Sequence, residues 1–252
     1  TRHRIMGIVS GEDFQIVYSD TPGILKPSYK LQESMMKFVT GALTDADVIL
    51  YVTDTVEQSE RSAEIVDSIR RSGIPTVVVI NKIDLSTLEA LVDKWQAEIP
   101  GAQVVPTSAK ENFNIEGLFR TILSLLPEGP AFYPKDTLTD KTLRFFASEI
   151  IREKILKFYD KEIPYCCEIE IESYKEEPTI DRIAATIYVA RDSQKGILIG
   201  HKGEKLKRVG QTAREDMEQF LGKKVFLQLF VKVSDDWRNN ERQLRRFGYE
   251  QE

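Results

Sequence analysis

Residues 76–84 read Thr76-Val77-Val78-Val79-Ile80-Asn81-Lys82-Ile83-Asp84. A short β-branched apolar run that stops at a polar turn predicts a buried parallel strand, and open α/β sheets bind their ligands at the carboxyl ends of such strands. An aspartate there can accept two hydrogen bonds side by side. Guanine offers that pair, its ring N–H and exocyclic amino group, whereas the matching edge of adenine presents an acceptor. Asp84 is therefore expected to read guanine, because a mismatched base would leave buried polar groups unpaired. On this reading Asn81 ties neighbouring loops together and the stem of Lys82 lies over the flat base. Taken alone, Asn-Lys-x-Asp is equally an ordinary turn after a strand, so the neighbouring stretches decide.

Two of them do. A strand over residues 14–19 runs into Asp20-Thr21-Pro22-Gly23. An aspartate in that place suits Mg²⁺, held directly or through another of its ligands, and the glycine lets a backbone N–H approach a terminal phosphate. The loop is thus expected to sense a γ-phosphate. Thr107-Ser108-Ala109-Lys110 follows a strand over residues 103–105 and offers a small residue's N–H to the guanine carbonyl oxygen. Each piece is weak by itself; their order, about sixty and then about two dozen residues apart, is the signal.

These residues resemble the GTPase domain of translation-factor-class proteins. The resemblance implies GTP/GDP and Mg²⁺ as cofactors, with Asp20 holding the metal and Gly23 contacting the γ-phosphate. It also implies that Asn81, Lys82 and Asp84 bind guanine while Ser108 and Ala109 complete the pocket. Thr1-Arg2-His3-Arg4 resembles the end of the first switch segment, which makes Thr1 the expected metal-binding threonine and places Thr1, Asp20 and Gly23 at the reacting phosphate. Ile24 follows Gly23 where many small GTPases carry a water-orienting glutamine, so slow intrinsic hydrolysis is expected. No G-x-x-x-x-G-K-[ST] phosphate loop occurs. A first strand, phosphate loop and helix of roughly 30 residues are accordingly expected to be missing by truncation, leaving this chain weak in GTP binding and hydrolysis.

Composition agrees with a globular protein. The 252 residues are 41% apolar and 30% charged, and no run is long and apolar enough to span a membrane or serve as a signal peptide. A cytoplasmic location is expected. The two cysteines, Cys166 and Cys167, are adjacent in a strand-like run whose side chains should alternate in direction, so they cannot staple the fold. Over residues 1–140 acids outnumber bases by 20 to 13, and over residues 141–252 bases outnumber acids by 22 to 20, which suggests two domains with different partners.

The first half alternates expected strands (4–9, 13–19, 48–53, 76–80, 103–105) with expected helices (31–40, 58–71, 87–98, 115–126), the pattern of a mostly parallel sheet covered by helices. Prolines at 127, 130 and 134 place a linker over residues 127–137. In the second half Thr139-Asp140 should cap a helix carrying Leu143, Phe146, Ile150, Ile151 and Ile155 on one face, ended by Pro164. Strands over 165–174 and 183–190 come next, then Gly196-Ile197-Leu198-Ile199-Gly200-His201-Lys202-Gly203, a basic helix and a strand over 225–233. Two glycines let a backbone approach single-stranded RNA, and flanking lysines neutralise its phosphates. Residues 191–214 hold seven basic residues and two acids. This is a KH-type loop in the type II element order.

The two halves together resemble the Era family of bacterial GTPases, through residues 1–4, 147–155, 196–207, 231–233, 236–238, 241–242 and 248–249. The expected fold class is α/β: a P-loop GTPase-type, mostly parallel sheet lacking its first strand, phosphate loop and first helix (1–126), a linker (127–137), and an α+β type II KH domain with a C-terminal helix (138–252). The resemblance implies binding of the 3′ region of 16S rRNA during small ribosomal subunit assembly. Gly200, His201, Lys202 and Gly203 would clamp the RNA backbone and Lys205 and Arg208 would add charge. A monomer is expected, with peripheral membrane association left open. A nucleotide-independent KH protein with a degenerate GTPase domain is the alternative; another ribosomal or tRNA-modifying GTPase fits the guanine motifs but not the KH half.

Overall fold

The computed structural model describes residues 1–55, 63–83 and 88–249. Asp84 and part of the expected 58–71 helix lie outside the described residues. The chain divides into two compact units, Thr1–Ser28 with Gln32–Thr139, and Tyr29–Leu31 with Asp140–Glu252.

In the first unit β1 (Ile5–Ser10) and β2 (Gln15–Asp20) form an antiparallel hairpin running from Ile5 opposite Asp20 to Ser10 opposite Gln15. A separate parallel sheet holds β3 (Ile49–Asp54), β4 (Thr76–Asn81) and β5 (Gln103–Pro106) in that order. The central strand explains its own composition: Val77, Val78, Val79 and Ile80 are buried on both faces, so no polar alternation is tolerated. Val78 and Ile80 pack with Ile49 and Tyr51 of β3, Val66 and Ile69 of α2 (Ala63–Ser72) and Trp95 of α3 (Glu89–Glu98). Each such side chain contributes about 1.5–3 kcal/mol by leaving water. Helices α1 (Lys30–Asp45) and α4 (Ile115–Leu125) complete the set.

The stretch expected to link the halves is laid along the hairpin. Ile8 N–H donates to Leu138 O at 2.8 Å. The Gln15 amide donates to Tyr133 O at 2.8 Å and accepts from the N–H groups of Phe132 and Tyr133 at 2.9 Å, while the Thr139 hydroxyl donates to Met6 O at 2.7 Å.

The second unit is a three-stranded sheet in the order β6 (Glu168–Glu176), β7 (Ile180–Val189), β8 (Lys224–Val233), with β6 antiparallel and β8 parallel to β7. Helices α5 (Leu143–Phe158), α6 (Ile163–Cys166), α7 (Asp192–Ile199) and α8 (Glu204–Leu221) precede, link or follow the strands, and α9 (Glu241–Arg246) comes after β8. The core gathers Ile151 and Ile155 of α5, Leu198 of α7, Val209, Ala213 and Met217 of α8, and Ile169, Ile183, Ala185 and Ile187 of the sheet.

Four local expectations are corrected. Thr142, not Thr139, caps α5, its hydroxyl accepting from Phe145 N–H at 3.4 Å. Leu143 is 40% exposed, and Ala147 fills the buried stripe with Ile151 and Ile155. The helix ends at Phe158, whereas Pro164 sits in the first turn of α6, where a missing N–H costs nothing. Cys166 closes α6 and Cys167 is extended, so both thiols enter one core instead of pointing apart.

One ionic cluster is buried in that core. Arg152 reaches Glu168 at 2.5 Å and Glu149 at 2.9 Å, the Tyr249 hydroxyl donates to Glu168 at 2.6 Å, and the Trp237 indole donates to Cys166 O at 3.1 Å. Burial, reinforced by Cys167, pushes the Cys166 thiol up to about 11.

Candidate functional sites

At the carboxyl ends of β4 and β5 two loops are stitched together. Thr107 N–H donates to Ile80 O at 2.8 Å, and Ala109 N–H donates to the Asn81 side-chain oxygen at 3.0 Å. Lys82 holds a left-handed backbone, φ +61°, and its ammonium pairs with Asp54 at the end of β3, 2.8 Å away. Ser108 is buried and exchanges hydrogen bonds with Phe113, Ser108 N–H to Phe113 O at 3.2 Å and Phe113 N–H to Ser108 O at 2.9 Å. Asn81, Lys82, Ser108 and Ala109 thus share one strand-end wall. In this arrangement the Ser108 and Ala109 N–H groups are taken by protein acceptors, so a base carbonyl would share or displace them. Asp54 was not singled out in the sequence; its pairing partner lies 28 positions away, beyond any local pattern.

At the end of β2 the Thr1 hydroxyl donates to the exposed Asp20 carboxylate at 2.9 Å. These are two hard oxygen donors of the kind Mg²⁺ takes, with water and phosphate oxygens filling the rest of its octahedron, so the donor set fits that ion. Among the described residues no cluster of three His, Cys, Asp or Glu forms an all-protein cage. Thr21 and Pro22 continue the loop in irregular backbone, and a Cβ on Gly23 would meet nothing within 4 Å. Ile24 packs against the β3–β5 core, away from any water-orienting task.

The second site is in the KH unit. Helix α7 starts with a capping arrangement, Gln194 accepting from Ala190 and Arg191 N–H at 3.0 and 3.1 Å, and stops at Gly200, whose φ +74° and ψ 178° are open to glycine alone. Lys202 (φ +48°) and Gly203 (φ +81°) turn the chain into α8. The Lys205 stem covers Gly200, and its ammonium stands 5.6 Å from the Tyr159 ring centre. The Arg208 guanidinium lies 4.3 Å over the Phe158 ring. His201, Lys202, Lys205, Lys207 and Arg208 are exposed and make no ion pair among the described residues. Elsewhere in this unit Lys154, Arg182, Lys223, Lys232 and Arg246 all have carboxylate partners. Lys202, Lys205, Lys207 and Arg208 thus leave an exposed set of basic side chains around one glycine-bounded loop. Phe158 and Tyr159, which brace Arg208 and Lys205, are the last residue of α5 and the extended residue after it, about 50 positions upstream, and carry no motif of their own.

A parallel sheet with guanine-type loops at its strand ends, followed by a helix-flanked sheet bearing a Gly-x-x-Gly turn, defines a GTPase of the translation-factor class joined to a KH domain. Family models agree on both halves: the elongation factor Tu GTP binding domain matches residues 7–128 and the KH domain matches residues 162–238. GTPase Era of Alkaliphilus metalliredigens is 43% identical over 256 residues, covering 99% of this chain and 87% of that protein. GTPase Era of Caldanaerobacter subterraneus is 43% identical over 257 residues, covering 99% and 86%. The chain belongs to the Era GTPase family. Among solved structures, Era in complex with MgGDPNP and nucleotides 1506–1542 of 16S ribosomal RNA superposes with a TM-score of 0.94 at 38% identity, over 100% of this chain and 87% of that one. A variant of Aquifex aeolicus Era bound to GDP.AlF4⁻ gives 0.95 at 38% identity, over 100% and 88%.

Proposed function

We propose that this protein is a GTP-switched RNA-binding factor that takes single-stranded RNA from the 3′ region of 16S rRNA and serves small ribosomal subunit assembly. The observation that carries the reading is the loop of residues 200–203, where left-handed glycines bring the backbone forward amid four exposed basic side chains, Lys202, Lys205, Lys207 and Arg208, without carboxylate partners among the described residues. Such an arrangement binds phosphodiester backbone by charge and close approach. The relative solved with MgGDPNP and a 16S fragment supports it.

In the GTPase unit Asn81 and Lys82 would border the base, with Asp84 reading its edge. Thr1 and Asp20 would hold Mg²⁺, which supplies neutralising charge at the β- and γ-phosphates. Thr21, Pro22 and Gly23 would follow the terminal phosphate, so that gain or loss of it moves the end of β2. By linkage, a nucleotide that alters RNA affinity is itself bound differently when RNA is present. A monomeric, cytoplasmic protein belongs to the same proposal.

The test is binding of the chain to a short strand matching the 16S 3′ end, against a scrambled strand, at stated salt. Gly200→Asp and Gly203→Asp should abolish selective binding; equal binding of both strands would refute the RNA reading.

A further inference from the structure

Asn114 precedes α4 in the place where asparagine ordinarily caps a helix by accepting from its first free N–H groups. It does not do so. Its backbone is left-handed, φ +55° and ψ 22°, and its side chain makes no bond to the helix N–H groups. The side-chain amide instead donates backwards to Pro106 O at 2.9 Å, the carbonyl immediately before Thr107-Ser108-Ala109. The amide oxygen lies over Gly117, where an added Cβ would collide with it. Between these points the loop is closed by the Ser108–Phe113 pair, by Glu111 N–H on the Ser108 hydroxyl at 3.4 Å, and by a second left-handed residue, Asn112 at φ +52°. Tethered at both ends, the loop delivers Ala109 N–H to Asn81.

We propose that Asn114 is a positioning residue for the guanine pocket and that Gly117 is glycine to leave room for its side chain. The inference rests on the reading of residues 81–82 and 107–109 as the base site. In physical terms, α4 gives up a side-chain cap so that the same amide can lock the end of β5. The strand-end wall is thereby set before a ligand arrives, which spares binding the cost of ordering it.

The test uses two variants and their combination in the 252-residue chain. Asn114→Gly keeps the left-handed backbone, which glycine adopts freely, and deletes the amide. Gly117→Ala places a methyl where the amide oxygen lies, although alanine is otherwise the better helix residue. Each single variant should speed amide hydrogen exchange at Ala109 and Phe113 about tenfold as the tether opens. Each should also weaken Mg²⁺-GDP binding about fivefold, the worth of one net hydrogen bond. With the amide gone the methyl has nothing to strike, so the double variant should be no worse than Asn114→Gly. A purely helical role for Gly117 would not show that reversal. Unchanged exchange in both single variants, or a Gly117→Ala penalty persisting in the Asn114→Gly background, overturns the proposal. The expected exchange pattern, together with measurable GDP binding no tighter than ADP binding by the parent chain, would uphold Asn114 as the tether while refuting the guanine reading.

Discussion

The two glycines of the KH loop look equivalent in a Gly-x-x-Gly motif, and the structure says they are not. Replacing Gly200 by alanine forces a side chain into φ +74°, ψ 178°, a conformation that costs about 1–3 kcal/mol for any residue but glycine. The new Cβ would also stand 2.7 Å from Lys205 Cγ and 2.8 Å from Lys205 Cβ. Those atoms are the root of a side chain on the first turn of α8, and the Cβ cannot move without its helix, so the upper end of that range applies. For a unit of about 110 residues, with an unfolding entropy of about 2.1 cal/mol/K per residue, about 3 kcal/mol lowers the melting temperature by about 13 °C. Gly203, at φ +81°, has nothing within 4 Å of an added Cβ. Its substitution carries only the left-handed penalty of about 1 kcal/mol, or about 4 °C. Calorimetry of Gly200→Ala and Gly203→Ala, with anisotropy titration of a labelled single strand, should give that order in both stability and RNA affinity. Equal melting of Gly200→Ala and the parent, or a larger loss for Gly203→Ala, would refute the reasoning.

Other outcomes follow from the same geometry. Lys202→Ala should weaken RNA binding for every sequence alike and reduce the slope of log K against log salt by about 0.7, the contribution of one single-strand phosphate. Asp54→Ala frees Lys82 from a partly exposed pair and should cost GDP affinity about twofold, an effect that fades in 0.5 M salt. Tyr249→Phe removes a buried hydroxyl-to-carboxylate bond to Glu168 and should lower the KH melting temperature by about 6–13 °C, from about 1.5–3 kcal/mol, with RNA affinity below the transition unchanged. Burial pushes the Tyr159 hydroxyl up to about 12 and the Cys166 thiol up to about 11. Both groups keep their protons longer folded than unfolded, so their stabilisation is whole below the ordinary values near 9–10 and is lost as pH rises through 11–12. Alkaline melts should show that fall, and Tyr159→Phe should retain part of the stability.

What was legible in the chain was what repeats locally. The β4 run and the spacing from Asp20 to Asn81 to Thr107 announced the nucleotide unit because a strand buried on both faces and the loop after it are both short-range patterns. The glycines at 200 and 203 announced the KH loop for the same reason. Contacts made at long range were invisible: Lys82 with Asp54, Arg208 with Phe158, and Glu168 with Tyr249 each join segments that no periodicity relates. Asn114 misled in a subtler way, since its residue type and position both suggest a helix cap, and only the geometry shows its amide turned toward β5. The cysteine pair failed because Pro164 begins a four-residue helix, and one turn of helix is enough to undo strand alternation.

The bond from Tyr249 to Glu168 spans 81 positions, and β8 must find a parallel place beside β7 before that bond can close. During synthesis the loop at 200–203 therefore leaves the ribosome well before the residues that complete its domain. At roughly 5–20 residues per second, the interval from Gly203 to Tyr249 amounts to a few seconds in which the glycine loop exists without a finished scaffold. The Tyr249 hydroxyl is accordingly a late arrival at the Glu168 carboxylate that it helps to hold in the core.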